Sequence, residues 1–315
     1  MTKITLRQLR YFEALAQHCH FGIASNACSV TQPALSMQIR DFELALGVSL
    51  FEKGTHPVQL TPLGRIIAAK SKAIMLDVAE LEELVRASDN QPLIDLRLGV
   101  IPTVAPYIFS KIAKDLTMHF KGLNLKMREA ITSKLITAVI DGELDAAIIA
   151  LPASEPRLRE LELFRENFLL VRPKADANKP VPRPEMLREM RLLLLEEGHC
   201  FRDQALTFCK MGSSDTQDVM DGNSLTTLVQ MVAAGFGVTL IPEMAAEFEG
   251  RIPNISIAKF HKNPPKRKIG MVWRRNSPLQ DKYIEIAQIV KALSLIHISE
   301  PTRRRGISYA VFCLK

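Results

Sequence analysis

Between residues 6 and 91 the apolar positions recur at threes and fours, the spacing of a helix face. Leu6, Leu9, Phe12 and Leu15 mark a first amphipathic helix, and FGIASNAC (21–28) a short second one. Ser29 and Val30 form a turn, Thr31 can cap a third helix, and Pro33 fits its first turn. Along that helix Leu35, Ile39, Phe42 and Leu46 make an apolar stripe and Gln32, Ser36 and Arg40 a separate polar one; Gly47 ends it. The pattern predicts a helix-turn-helix whose last helix offers short polar groups to a DNA major groove. Residues 51–61, FEKGTHPVQLT, read as two short strands around a Gly/Pro turn, a wing on which Lys53 reaches phosphate. Residues 63–91 then form one long helix in which Ile67, Ile74 and Leu81 repeat at seven, with Val78 and Val85 beside them. A heptad seam predicts a partner helix, and a two-fold dimer matches a palindromic site.

From Pro92 the period changes. LRLGVI, LKMREA, DAAIIAL, LFRENFLLVRP, RLLLLE, VTLIP and RKIGMVW are apolar runs separated by helical stretches, which predicts an α/β fold with largely buried strands. The chain crosses over near residue 165 and returns near 269. That divides an effector domain, 92–292, into subdomain I (92–164 with 269–292) and subdomain II (165–268) around a cleft. The GFG at 235–237 lacks the third glycine and later acidic partner of a dinucleotide fingerprint. A closing helix, PLQDKYIEIAQIVKA, ends at Ala292. The following LSLIHISEPTR resembles a translated library adapter, so residues 293–315 are expected to be a non-native tail.

Composition changes this picture little. The 315 residues are 47% hydrophobic and 24% charged, ordinary for a globular protein. The net charge of +7 hints at nucleic acid, but Arg303, Arg304, Arg305 and Lys315 in the tail supply much of it. The pattern, not the charge, argues for DNA. Neither a signal peptide nor a membrane-length apolar run is visible, so a cytoplasmic protein with reduced cysteines and no membrane partner is expected. The five cysteines (19, 28, 200, 209 and 313) form no CxxC and no Cys/His ligand spacing; neither metal nor cofactor is expected.

Two of them lie in EEGHCFRDQALTFCK, residues 196–210, which reads as a strand end followed by a short helix. If the segment is helical, Cys200 and Cys209 stand about 13 Å apart along the axis. A disulfide spans about 4.4–6.8 Å between Cα atoms. Either the pair never bonds, or bonding it destroys the helix. The helix N-terminus and Arg202 favour a Cys200 thiolate, whereas Glu196 and Glu197 oppose it. Cys209 falls with Phe201, Leu206 and Phe208 as a buried residue, and small buried thiols are commonly structural.

QLRYFEAL, with TQPALSMQIRDFELALGVSLFEKGTHPVQLTPLG, closely resembles the N-terminal domain of LysR-type transcriptional regulators. The resemblance implies a winged helix-turn-helix over 1–62, a dimerising linker helix over 63–91 and a periplasmic-binding-protein-like effector domain. It assigns Thr31, Gln32, Pro33, Ser36 and Arg40 to the recognition helix and Lys53 to the wing. The chain departs from the pattern at Ile23, Lys53 and His56, where the family often has arginine. The segment 180–209, with VIPTVAPYIF before it and LVQMVAAGFGVTLIPEMA after it, is similar to the OxyR-like, hydrogen-peroxide-sensing branch. That similarity implies a peroxidatic Cys200, a resolving Cys209, a reversible disulfide between them, and peroxide-site positions at Thr103, Thr132, His199 and Arg267. It further implies a homotetramer (a dimer of dimers) that is not an enzyme. Its partners are double-stranded DNA with a palindromic operator, RNA polymerase, hydrogen peroxide and cellular thiol reductants. The geometric mismatch then becomes the switch: closing the ten-residue loop removes about 2.7 kcal/mol of unfolded-chain entropy in the loop model, which helps to offset melting of the helix. The alternative is a regulator of the same type that answers to a small metabolite in the cleft, with incidental cysteines. A thiol peroxidase is a third reading, but it leaves the DNA-reading domain without a purpose.

Overall fold

The computed structural model describes residues 4–52, 54–88, 93–183, 186–187, 189–210, 221–260 and 264–299. Two compact units emerge: residues 1–91 with Ser277–Leu279, and residues 92–276 with 280–315.

In the first unit α1 (Leu6–His18), α2 (Phe21–Ala27) and α3 (Gln32–Leu46) enclose a core of Leu9, Phe12, Leu15, Leu35, Ile39, Phe42 and Leu50. Thr5 and Gln8 close α1 with a reciprocal capping box. His20 caps α2, its Nδ1 accepting from the backbone N–H of Gly22 (3.1 Å) and Ile23 (3.4 Å). Gly47, at φ 72°, ends α3 as the spacing predicts. Thr31 occupies the N-cap of α3, but its hydroxyl makes no capping bond. Pro33 at the second helical position removes one of the two amides such a cap would take. The wing is smaller than expected: one antiparallel bridge, Phe51 to Leu60, replaces two strands. It is held by Glu52 N–H to Gln59 O (2.8 Å) and by the Glu43 carboxylate, which accepts from Leu50 N–H (2.6 Å).

The long helix α4 (Pro62–Ser88) does not keep its heptad stripe together. Ile67, Ala68 and Met75 pack on the core of its own unit, whereas Ile66, Ile74, Leu81 and Leu84 are exposed.

The second unit is a mixed sheet of nine strands in the order β2-β1-β3-β9-β4-β7-β5-β6, with β8 on the flank of β4. The strands are β1 (Asp95–Val100), β2 (Asn124–Glu129), β3 (Ala146–Leu151), β4 (Leu158–Pro173), β5 (Leu192–Leu195), β6 (Asp221–Gly222), β7 (Val238–Pro242), β8 (Ile255–Lys259) and β9 (Lys266–Arg274). Interior β3, β5 and β7 are buried almost throughout, as strands covered on both faces must be, while edge strand β2 is largely exposed. β9 runs antiparallel to the first part of β4, Leu158 to Asn167, with a bulge between Glu162 and Phe164. One part of β9 pairs with β3 and the far part of β4 with β7 and β8, so these two strands join the halves of the sheet. β6 and β8 were not foreseen: one has two residues, the other is only half-buried.

Helices α5 (Ala105–His119), α6 (Thr132–Ile140), α7 (Cys200–Phe208), α8 (Leu225–Ala233), α9 (Ala246–Glu249) and α10 (Gln280–Ser299) complete the unit. α10 continues beyond the boundary expected at residue 292, because LSLIHIS carries no glycine or proline to stop it. The GFG turn is structural. A Cβ at Gly237 would collide with the Arg191 carbonyl, which lies beside the start of β7.

Candidate functional site

In the first unit the polar face of α3 stands clear of the core. Thr31, Gln32, Pro33, Ser36 and Arg40 are all exposed, whereas Leu35, Ile39 and Phe42 are buried. The helix thus presents two amide or hydroxyl side chains and a guanidinium on one surface, the groups that read base edges and phosphates. Lys53 lies outside the described residues.

The second candidate site forms around the start of α7. β5 ends at Leu195, and Gly198 turns the chain at φ 91°, a conformation that only glycine adopts without strain. His199 is the N-cap and Cys200 the first residue of the helix. The His199 side chain makes no capping bond. Burial lowers its pKa below the usual histidine value and so favours the neutral ring, partly opposed by the Glu196 carboxylate. Cys200 is half-buried. Cys209 is the C-cap, buried, with its N–H donating to Ala205 O (2.9 Å). The intervening residues form continuous helix, so the backbones of the two cysteines stand about 13 Å apart along the axis.

Strands β4 and β9 bring the charge. Glu166 and Arg267 are direct cross-strand partners with wholly buried side chains. Arg267 Nε donates to Glu166 Oε1 (2.8 Å), and Nη2 lies 2.7 Å from the same oxygen as the ion-pair contact. Nη1 donates to Thr103 Oγ1 (2.7 Å) and Nη2 to the Thr103 carbonyl (3.1 Å). A guanidinium only donates, so Thr103 is an acceptor in this bond and keeps a single proton to give elsewhere. Phe201, the neighbour of Cys200, lies under the guanidinium (5.3 Å to the ring centroid) and against Phe168 (4.7 Å). The candidate arginine therefore touches the first turn of α7.

Thr132 arrives from another side. It opens α6, and its neighbour Ile131 reaches Gly198: a Cβ there would lie 3.1 Å from Ile131 Cδ1. Its Oγ1 is buried with no partner among the described residues. So Arg267 joins Thr103 to Phe201, the neighbour of Cys200, and Ile131 beside Thr132 approaches Gly198 just before His199, while Cys209 lies at the far end of α7. Arg202 is not part of the cluster. It is buried and donates to Leu195 O (2.8 Å) and Asp221 Oδ1 (2.6 Å), so its charge is spent on β5 and β6.

Sequence reasoning missed two residues here. Glu166, in the strand run FRENF, reads as a solvated charge. Gln204 follows Cys200 by one helical turn, on the same face, and its Oε1 is buried with no partner among the described residues. Only the i, i+4 spacing signals it. Below the cluster a second buried carboxylate, Glu249, accepts from Tyr107 OH and Thr226 Oγ1, both at 2.9 Å. Burial, then the Glu249 charge, raises the Tyr107 pKa.

Comparison with known proteins identifies both units. Residues 6–65 match the bacterial regulatory helix-turn-helix model of the lysR family, and residues 90–293 the LysR substrate binding domain. The DNA-binding transcriptional dual regulator OxyR of Escherichia coli K12 is 36% identical over 293 residues, 92% of this chain and 95% of that one. A full-length OxyR variant from Pseudomonas aeruginosa is 34% identical, with a TM-score of 0.76, covering 91% of this chain and 95% of the other. A hydrogen-peroxide-bound OxyR variant from Corynebacterium glutamicum is 32% identical, with a TM-score of 0.64, covering 93% and 94%. With both domain models matched and full-length relatives above 30% identity, this chain belongs to the LysR family of DNA-binding transcriptional regulators.

Proposed function

We propose that the protein is a transcriptional regulator activated by hydrogen peroxide through Cys200 and Cys209. One observation carries the reading: a thiol at the first turn of a short helix beside the Arg267–Thr103 couple, with a second thiol at that helix's end. The Cys200 thiolate attacks one peroxide oxygen, the O–O bond breaks, and hydroxide leaves as Cys200 becomes a sulfenic acid. The Thr103 proton, the Thr132 hydroxyl and the neutral His199 N–H donate to the oxygens as charge develops. Gln204 Oε1 accepts from the peroxide. Cys209 then attacks the Cys200 sulfur, a disulfide forms, and water departs. A continuous helix holds the thiols apart, so this step unwinds α7 and repacks Phe201, Leu206 and Phe208. Cytoplasmic thiol reductants return two electrons and reset it. Each reset allows one event, which makes the protein a switch rather than a peroxidase.

In the DNA-binding head, Thr31, Gln32, Pro33, Ser36 and Arg40 read the operator, with Lys53 on phosphate. The exposed stripe of α4 within the linker (63–91) pairs two chains on a palindrome, and a dimer of dimers presents two such pairs of heads to DNA and RNA polymerase. Titrating the reduced protein anaerobically with peroxide and mapping its thiols by mass spectrometry tests the core of this reading. A Cys200–Cys209 disulfide at near-stoichiometric peroxide is expected; two intact thiols would reject it. One observation favours a second reading. The N-caps of α5, α6 and α7 make no side-chain capping bond, which suits a small anion in the cleft. Under that reading Cys209→Ser leaves the response intact.

A further inference from the structure

We infer that Glu166 is a positioning residue for the first chemical step, an inference that rests on the peroxide reading above. In that step the Cys200 thiolate takes one oxygen, the O–O bond breaks, and the leaving hydroxide collects a proton to become water. Glu166 touches neither thiol nor peroxide; it acts through Arg267.

An arginine side chain swings about several single bonds, and its orientation decides which N–H faces the reacting atoms. Here three constraints fix it. Glu166 Oε1 accepts from Nε and stands 2.7 Å from Nη2, which itself donates to the Thr103 carbonyl; together these set the plane of the guanidinium. The Phe201 ring supports one face. Glu166 is itself anchored, because Oε2 accepts from Met244 N–H (3.1 Å) in the turn after β7. With Nε and Nη2 committed, Nη1 is the edge turned to Thr103 Oγ1, and that bond decides where the Thr103 proton can point. Cross-strand register enforces the clamp, since Glu166 and Arg267 are opposite one another on β4 and β9. The carboxylate also neutralises a cation that is wholly removed from water.

The test uses the full chain. In a Cys209→Ser background, Glu166→Gln keeps the shape of the side chain and loses the charge. The rate at which peroxide converts Cys200 to a trapped sulfenic acid should fall on the order of ten- to a hundred-fold, as for other misplaced catalytic groups. With Cys209 restored, the rate of disulfide closure from the sulfenic acid should be unchanged. A wild-type first step in Glu166→Gln, or an equal loss in both steps alongside a lowered melting temperature, would overturn the inference. Should the variant fail to fold, the wild-type Arg267 guanidinium can be read by NMR, with its signals identified by their disappearance in Arg267→Lys. Separate, exchange-protected Nη protons are expected, and one averaged Nη signal would overturn the clamp. A wild-type Cys200 inert to peroxide would instead reject the peroxide reading, while the NMR signal would still report on the clamp.

Discussion

Removing one partner from the Glu166–Arg267 pair leaves the other buried without compensation, because both side chains are fully enclosed. Arg267→Met should therefore destabilise the second unit by about 3–5 kcal/mol, seen as a lower urea midpoint. His199 gives a pH signature. Its folded pKa lies below the unfolded value of about 6.5, so the unfolded chain binds more protons in that window. Stability should accordingly fall as pH drops through 6.5 towards the lower folded value, and His199→Gln should flatten that slope in pH-dependent melts. At this scale the sequence was only partly legible. Cys200, His199 and the threonines stand out by their type and place, and the resemblance carried their roles. Glu166 did not stand out, because its meaning depends on a residue 101 positions away. Arg202 misled for the same reason: Asp221, its partner on β6, is invisible to local reading.

Elements were easier to foresee. Apolar runs made seven of the nine strands visible, including the largely exposed edge strand β2. The half-buried β8 and the two-residue β6 leave none. Helix ends depended on individual side chains. His20 caps α2 through Nδ1, which requires that nitrogen to be unprotonated. His20→Ala should cost about 1 kcal/mol in thermal unfolding of the head, and His20→Asn should restore most of it. The heptad reading of α4 holds for spacing but not for purpose at every position. Ile67 is used within its own unit, and Ile74 and Leu81 remain exposed. On the dimer proposal, Leu81→Glu should shift the sedimentation profile towards monomer without altering the melting of the head.

For the whole molecule, order of events follows from one feature of α7. Cys209 is buried at the far end of the helix from Cys200. On the proposed disulfide mechanism it cannot reach the sulfenic acid until the helix opens, so the oxidised sulfur then has a waiting time. A nine-residue helix has little stability of its own, which keeps that wait short but not zero. During it a second peroxide competes with Cys209, and the product, a sulfinic acid, cannot be recovered by thiols. The protein therefore has a working range rather than a threshold. Disulfide yield should climb with peroxide, pass through a maximum and decline as sulfinic Cys200 accumulates in the mass spectrum. Variants that loosen α7 should move that maximum to higher doses. The burial of one thiol thus sets an upper limit on the signal the switch can report.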